Sequence, residues 1–257
     1  YNYSGPRYTS YPTALEFNEA FTEQQFLTET NHYPDRALSL YIHIPFCHKL
    51  CYFCGCNKMI TRQTDKVTRY LDVLEQEIIQ RAKLFKNRTV TQMHWGGGTP
   101  TFLNKFEIDR LMKSLRENFN FAADAELSLE VDPREIDLSM VDHLAHVGFN
   151  RLSIGIQDFN KEVQKLVNRE QDEKFITSLI ERAKQQKFQS INLDLIYGLP
   201  KQTVESFMYT LQKVVELSPD RLSVFNYAHL PQRFAAQRKI KDHDLPTAPE
   251  KLKILQE

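Results

Sequence analysis

Residues 38–56 read LSLYIHIPFCHKLCYFCGC, a β-rich run that leads directly into a loop rich in cysteine. The length and the alternating β-branched and aromatic residues of 38–44 are typical of a strand. All four cysteines of the chain follow at once, with the spacing C-x3-C-x2-C-x-C: Cys47, Cys51, Cys54 and Cys56. A strand with a chemically active loop at its carboxyl end is typical of parallel α/β folds, in which such loops gather at one edge.

The order strand, loop, helix recurs along the rest of the chain. Strand-like runs lie at 38–44, 90–95, 126–131, 151–157, 190–197 and 221–227. Runs with helical spacing lie between them, at 64–85, 107–119, 138–147, 160–186 and 203–217. Strict alternation predicts parallel strands joined by right-handed crossovers. Eight such units would close a TIM barrel, so six predict an open, partial (β/α)6 TIM-like barrel.

The predicted domain organisation follows from these limits. Residues 1–36 are expected to form an N-terminal arm, 37–235 the partial barrel, and 236–257 the start of a linker or C-terminal region whose remainder is absent. Residue 1 is Tyr rather than Met, so we expect the chain to be part of a longer protein.

Composition excludes several classes of protein. The 257 residues carry 33 basic and 33 acidic side chains, whereas proteins that neutralise phosphates usually carry a basic excess, so no nucleic-acid partner is expected. The apolar runs are too short for a transmembrane helix, and the first forty residues lack a signal-peptide pattern. We therefore expect a cytoplasmic protein that does not bind membranes.

The four cysteines allow three interpretations. Ordinary buried thiols would be scattered along the chain, and a structural zinc site needs four converging thiolates, usually from two separate turns. A compact loop is more typical of an iron–sulfur cluster, whose irons are held by thiolates. In that interpretation the C-x3-C-x2-C part holds three irons and leaves a fourth open to a ligand.

Further polar residues follow the other predicted strands, where the active site of such a fold is expected. The sequence GGGTP at 96–100 allows close approach of a ligand to the backbone, although a tight turn alone would also explain it. Glu130 ends the third strand and is either a functional carboxylate or a solvated surface acid. Gln157 and Asp194, on the fourth and fifth strands, suit ribose hydroxyls.

Three more side chains allow a functional and a structural interpretation. Arg169 suits a carboxylate held by both arms of its guanidinium, or a surface salt bridge. Tyr41 and His43 share one face of the first strand and are either satisfied core residues or proton-relay groups beside the metal site.

The C-x3-C-x2-C loop, followed one unit later by GGGTP, resembles the radical S-adenosylmethionine (SAM) superfamily. In that superfamily the amino and carboxylate groups of SAM chelate the open iron, an electron breaks the sulfonium bond, and the resulting 5′-deoxyadenosyl radical abstracts hydrogen. The resemblance implies that Phe53 faces the adenine of SAM.

A narrower resemblance covers essentially the whole chain. The segments YSGPRYTSYPT, YIHIPFC, CYFCGCN, HWGGGTP, LEVDP, RLSIGIQDF, VNREQ, DLIYGLPKQT and RLSVFNYAHLP are similar to the oxygen-independent coproporphyrinogen III oxidase family. The resemblance implies oxidative decarboxylation of two propionate groups of coproporphyrinogen III to vinyl groups, giving protoporphyrinogen IX in haem biosynthesis. It also implies a 4Fe-4S cluster, two SAM molecules, an electron donor such as flavodoxin or ferredoxin, and a monomer.

Matched residue by residue, the resemblance assigns the cluster to Cys47, Cys51 and Cys54. It assigns contacts with the cluster-bound SAM to Tyr41, Gly97, Glu130 and Ala228. It assigns contacts with the second SAM to Phe53, Gly98, Thr99, Gln157, Arg169 and Asp194. Tyr41 and His43 are the candidate catalytic residues.

Two further residues are singled out by the comparison with the family. Cys56 matches a fourth motif cysteine that is not counted as a ligand, and Arg7 is a candidate contact for a propionate. The alternative is a haem-binding chaperone on the same scaffold without decarboxylase activity. Such relatives usually lack the fourth cysteine and the segment GPRYTSYPT, so both features favour the oxidase.

Overall fold

Six parallel strands form the main sheet of the computed structural model, which describes residues 16–256. In chain order the elements are α1 (Glu23–His32), β1 (Leu38–Ile44), β2 (Phe46–Cys47), β3 (Met59–Ile60), α2 (Thr64–Ala82), β4 (Thr89–Gly97), α3 (Lys105–Asn118), β5 (Asn120–Val131), α4 (Leu138–Val147), β6 (Arg151–Gln157), α5 (Lys161–Leu166), α6 (Glu173–Gln185), β7 (Ser190–Tyr197), α7 (Val204–Leu217), β8 (Arg221–Asn226) and α8 (Ala248–Gln256). Short 3₁₀ helices lie at Pro100–Phe102, Ala235–Lys239 and Asp242–Asp244.

The sheet order is β1-β4-β5-β6-β7-β8, and every neighbouring pair is parallel. Within the described residues β1 and β8 do not pair with each other, so they are the two edges of an open barrel. The predicted partial (β/α)6 barrel is therefore confirmed. The sequence did not predict α1, the short β2–β3 pair around the cysteine loop, or the early start of β5 at Asn120.

Alternation along the strands separates an apolar outer face from a polar inner face. Trp95, Leu129, Ile154 and Leu193 are almost fully buried in the main core, which the crossover helices cover. The inner face carries polar side chains that line a cavity of about 310 Å³ near the amino ends of the strands, among them Ser39, Gln92, Glu126, Arg151 and Asn192. The barrel interior is therefore open to polar ligands rather than filled with a second apolar core.

Local signals in the sequence set the ends of several helices. Asn104 begins α3 with a capping box that includes Glu107, and Thr203 begins α7 in the same way with Ser206. Gly148 ends α4 at φ 107°, a left-handed conformation that glycine adopts without strain. These caps satisfy the free backbone groups at the helix ends.

A second, smaller core is formed by residues that follow the carboxyl ends of the strands. It contains Val163, Val167, Leu199, Tyr227 and Ile240, with Tyr52 and Phe53 of the cysteine loop packed against it. The loop after β1 is therefore packed against residues that follow β6, β7 and β8.

The C-terminal helix α8 packs on the barrel rather than standing apart from it. It contacts α7 and β7, and Ile254 is buried in the main core.

Among residues 16–256, we find no helix with both the length and the apolar character needed to cross a membrane.

Candidate active site

A cavity of about 840 Å³ opens at the carboxyl ends of the strands. Its walls contain all but two of the predicted site residues that lie within 16–256: Cys47, Cys51, Phe53, Cys54, Gly97, Gly98, Thr99, Glu130, Gln157, Arg169, Asp194 and Ala228. The other two, Tyr41 and His43, lie beside it: the Tyr41 ring stacks on His94, and the His43 ring lies against Gly97. The proposed propionate contact Arg7 and the segment 3–13 lie outside the described residues.

Backbone hydrogen bonds hold the cysteine loop in place. Met59 N donates to Pro45 O and Thr61 N donates to Cys47 O, which turns the chain back beside itself after the last cysteine. Tyr52 N donates to Val167 O at 2.9 Å, so the loop is also attached to the segment that follows α5.

The four cysteines form no disulfide with one another, and they differ in burial and charge environment. Cys47 and Cys51 are buried, Cys54 is half-buried and Cys56 is exposed. Burial raises the pKa of Cys47 to about 11, whereas a hydrogen bond from Cys56 lowers the pKa of Cys54 to about 6. The described residues contain no group of three or more His, Cys, Asp or Glu side chains arranged to hold one metal ion. A 4Fe-4S cluster does not require its ligands to converge on one metal ion, because each thiolate binds a different iron.

Donors around the sulfurs fit a group that is held by thiolates. Arg134 and Arg169 both donate to Cys51 Sγ, at 3.2 and 3.3 Å. Thr99 is buried, and its hydroxyl lies 3.5 Å from Cys47 Sγ. Hydrogen bonds and cationic groups of this kind stabilise the negative charge of thiolates. The residues present therefore fit an iron–sulfur cluster on Cys47, Cys51 and Cys54.

The glycine turn after β4 brings the backbone close to the end of β1. Gly98 N donates to Ile44 O, and a Cβ on Gly98 would lie 2.7 Å from the Pro45 and Phe46 backbone. Gly97 has φ 118°, and a Cβ there would lie 2.6 Å from the His43 ring. Both positions therefore require glycine because of contacts within the chain, whether or not a ligand binds. The backbone of the turn also forms part of the cavity wall.

Glu130 joins this turn to a group of aromatic and histidine side chains. It accepts a hydrogen bond from Gly97 N at 3.1 Å and contacts His94 Nε2 at 3.4 Å. Tyr41 donates to or accepts from His43 Nδ1 at 3.2 Å. The partial loss of water around the half-exposed Tyr41 ring, then the charges of Glu130 and Cys56, raise the pKa of Tyr41. Glu130 is thus a partly exposed carboxylate inside the cavity, not a solvated acid on the outer surface.

Arg169 is buried and already engaged. It donates to Gly155 O and to Asp132 Oδ2 as well as to Cys51, so it forms a buried ion pair rather than a surface salt bridge. Burial acts to raise the pKa of Asp132, yet Arg169 and Arg134 outweigh burial and lower that pKa to about 2. Asp132 is therefore charged at neutral pH.

Two predicted contacts for hydroxyl groups lie on neighbouring strands. Gln157 ends β6 at φ 70°, an uncommon conformation for a residue other than glycine, which turns the chain at the cavity. Asp194 accepts hydrogen bonds from Ser153 at 3.0 Å and Asn192 at 2.7 Å, and burial raises its pKa. A carboxylate has further lone pairs, so Asp194 can still accept from a ligand.

The structure adds residues that sequence analysis missed. Buried Gln237 donates to both Phe53 O and Ala228 O, at 2.9 and 3.1 Å, and so joins the loop after β1 to the segment after β8. Asp132 and Arg134 form the ion pair at Cys51. The only signal for the pair was the acid–base spacing in DPR at 132–134, and Gln237 left no local signal because its partners are distant in sequence.

The chain matches known proteins along most of its length. The model of the radical SAM superfamily matches residues 41–214. The chain is 71% identical over 257 residues to the oxygen-independent coproporphyrinogen III oxidase of Escherichia coli (strain K12), covering 100% of the chain and 56% of that protein. It is 49% identical over 261 residues to the protein of the same name from Pseudomonas aeruginosa, covering 100% of the chain and 57% of that relative. The chain thus spans little more than half the length of these relatives.

Solved structures give the same result. The coproporphyrinogen III oxidase HemN from Escherichia coli, described as a radical SAM enzyme, superimposes with a TM-score of 0.95 at 70% identity, over 97% of this chain and 57% of that one. The radical SAM methyltransferase TsrM from Kitasatospora setae has a TM-score of 0.58 at 13% identity, over 84% of this chain and 41% of that one. The second likeness concerns the fold alone.

Proposed function

Because the chain belongs to the radical SAM superfamily, we propose that it holds a 4Fe-4S cluster on Cys47, Cys51 and Cys54 and cleaves SAM reductively. The observation that carries this proposal is the meeting of these three cysteines with Gly97, Glu130 and Asp194 around one cavity, although the residues lie on four different strand–loop units. When bound, a reduced cluster supplies the electron that breaks the sulfonium bond of SAM.

The roles of the chain's own residues follow from their positions. Glu130 and Asp194 present carboxylates to the cavity and suit the amino group and the hydroxyls of SAM. Gly97 and Gly98 leave space for close approach, and Phe53 offers an aromatic face. We assign the first SAM to Tyr41, Gly97, Glu130 and Ala228. We assign the second SAM to Phe53, Gly98, Thr99, Gln157, Arg169 and Asp194.

Tyr41 and His43 are proposed to position or transfer a proton beside the cluster-bound SAM. The hydrogen bond from Tyr41 to His43 continues from His43 Nε2 to Asn57 O at 2.9 Å, so the pair is fastened to the cysteine loop. Tyr41 also stacks on His94, which contacts Glu130. Substitution of either residue is therefore expected to alter the position of the Glu130 carboxylate.

The proposed substrate is that of the full-length relatives, of which this chain covers little more than half. We propose oxidative decarboxylation of two propionates of coproporphyrinogen III, with a donor such as flavodoxin or ferredoxin, in a monomeric cytoplasmic enzyme. The 71% identity to a relative with the oxidase name supports this function over haem binding without decarboxylation. Residues 37–235 are proposed as the catalytic barrel, 1–36 as an arm and 236–257 as the start of a further region.

Anaerobic reconstitution with iron and sulfide, followed by dithionite and SAM, tests the proposal. We expect a brown protein that releases 5′-deoxyadenosine. Cys47→Ala should lose iron and this product, while the matched Cys56→Ala should keep its iron because Cys56 is not a proposed ligand. A colourless protein that binds zinc stoichiometrically and releases no 5′-deoxyadenosine would show that the cysteines form a structural site.

Added coproporphyrinogen III then tests the substrate. Formation of vinyl groups and carbon dioxide supports the oxidase. Retention of haem without decarboxylation, in a protein that still cleaves SAM, would support the chaperone instead.

A further inference from the structure

We propose that Arg134 raises the reduction potential of the cluster by donating a charge-assisted hydrogen bond to Cys51. The inference rests on the proposed function, because it requires a cluster on Cys47, Cys51 and Cys54. It concerns a residue that touches a cluster ligand rather than SAM, so Arg134 is a positioning and tuning residue, not a catalytic one.

The guanidinium of Arg134 is held firmly against the sulfur. Nη2 lies 3.2 Å from Cys51 Sγ and 2.6 Å from Asp132 Oδ2, and Nε donates to Asp132 Oδ1 at 3.0 Å. The third nitrogen, Nη1, donates to Asn168 O at 3.1 Å. The side chain is 6% exposed, so water screens its charge little.

The local charge balance is positive beside Cys51. Arg134 and Arg169 share the single carboxylate of Asp132, and both also reach the sulfur. Two cations with one anion leave an excess positive charge at this thiolate. Cys47, by contrast, has a neutral hydroxyl donor from Thr99.

The sign of the effect follows from charge. Reduction of the cluster from the 2+ to the 1+ state adds one electron, supplied in solution by a reductant such as dithionite. A positive group and an N–H donor at a ligand sulfur stabilise the more negative state, so they raise the potential. Loss of Arg134 also leaves the Asp132 carboxylate with one cation instead of two. The less compensated negative charge further lowers the reduction potential of the variant.

Arg134 also has a structural role, and the test must separate the two roles. Its contact with Asn168 O, together with the bond from Asn168 Nδ2 to Leu50 O, helps to hold the cysteine loop. A purely structural role predicts lower cluster occupancy or stability in a variant, but no change in the potential of the clusters that are present.

The experiment is a redox titration of reconstituted protein, followed by the EPR signal of the reduced cluster and normalised to iron content. In Arg134→Gln we expect about a tenfold lower ratio of reduced to oxidised cluster at a given solution potential, which is about 59 mV for a one-electron couple. Arg182→Gln is the matched control, because Arg182 forms a two-armed pair with Asp142 between α6 and α4. It should titrate as the wild type does.

Arg134→Lys decides the question if Arg134→Gln takes up no cluster. Lysine keeps the charge but cannot hold Asp132 with two parallel bonds while reaching Cys51. We expect about a threefold lower ratio of reduced to oxidised cluster. An unchanged reduction potential in an Arg134→Gln protein that holds the cluster would overturn the inference. If Arg134→Gln holds no cluster, an unchanged reduction potential in Arg134→Lys would overturn it. A wild-type protein that forms no iron–sulfur cluster would overturn the proposed function instead.

Discussion

Two Tyr-x-His pairs lie at opposite edges of the open barrel, and they make the same side-chain contact in different surroundings. Tyr41 and His43 lie on β1, and Tyr227 and His229 follow β8. In both pairs the tyrosine hydroxyl contacts Nδ1 of the histidine, at 3.2 Å in the first pair and 2.8 Å in the second. Tyr41 is 58% exposed in the barrel interior, whereas Tyr227 is 4% exposed in the small core.

The two histidines also differ in the group that their second ring nitrogen contacts. His43 Nε2 contacts Asn57 O in the cysteine loop, while His229 Nε2 contacts Asp242 in the 3₁₀ helix that precedes α8. The first pair therefore ties the inner face of β1 to the cysteine loop beside the cavity, and the second fastens the C-terminal segment to the barrel. The same three-residue pattern is thus proposed to serve the reaction at one edge, and it holds the C-terminal segment at the other.

The largest expected effect is on stability at the second pair. Tyr227→Ala should lower the free energy of unfolding by about 3–5 kcal/mol, because it removes a buried aromatic side chain. Tyr41→Ala, at an exposed position, should change it by about 0.5 kcal/mol or less. Urea denaturation of the two variants measures this difference, and equal losses would remove the distinction between the pairs.

Substitution of Gly97, which lies against the His43 ring, should have the next largest effect on the free energy of unfolding. Gly97→Ala places a Cβ against the His43 ring at φ 118°, so we expect a loss of about 2 kcal/mol or more. Gly198→Ala is the matched control at φ 83°, where the new Cβ meets the flexible stem of Lys251. A larger loss in the control would show that the contact with His43 is not what makes glycine necessary.

Removal of each hydroxyl separates function from packing. Tyr41→Phe should slow the release of 5′-deoxyadenosine about tenfold, the cost of one hydrogen bond of about 1.4 kcal/mol. Tyr227→Phe should leave the rate within about twofold, since its histidine partner is bound to Asp242 of the C-terminal segment rather than to the cysteine loop. The assay is single-turnover SAM cleavage at equal iron content, and a slow Tyr227→Phe with a normal Tyr41→Phe would reverse the assignment.

The smallest effect is expected at the outer end of the second pair. Asp242 is 90% exposed, and exposed ion pairs contribute little to stability. Asp242→Asn should therefore lower the melting temperature by less than about 3 °C, and high salt should reduce the difference further. Thermal denaturation at two salt concentrations measures it, and a large, salt-independent loss would mean that the segment depends on this contact.

Much of the fold was predictable because its signals are local. Each strand of the six-stranded sheet was recognised from a short run of β-branched and aromatic residues, and strict alternation with helices is enough to predict parallel order. The rule that parallel strands end at one edge also placed the cysteine loop, Glu130, Gln157 and Asp194 near one another.

The less predictable parts depend on contacts between distant segments. Arg169 was predicted either to hold a ligand carboxylate or to form a surface salt bridge, and its buried contacts with Asp132 and Cys51 were not foreseen. Gln237 reaches the cysteine loop across 184 positions of sequence. Thr99 was expected at the second SAM and also lies against Cys47 Sγ. Neither spacing nor periodicity contains such pairings.

The sequence alone determined the parallel α/β architecture, the cysteine loop after the first strand and the polar edge where the site forms, because each depends on short-range spacing. Only the tertiary structure decided which Tyr-x-His pair is exposed and which is buried, and that two arginines share Asp132 beside Cys51. Burial and charge pairing depend on which distant segments meet, and that is decided when the sheet curves and the small core packs against the cysteine loop.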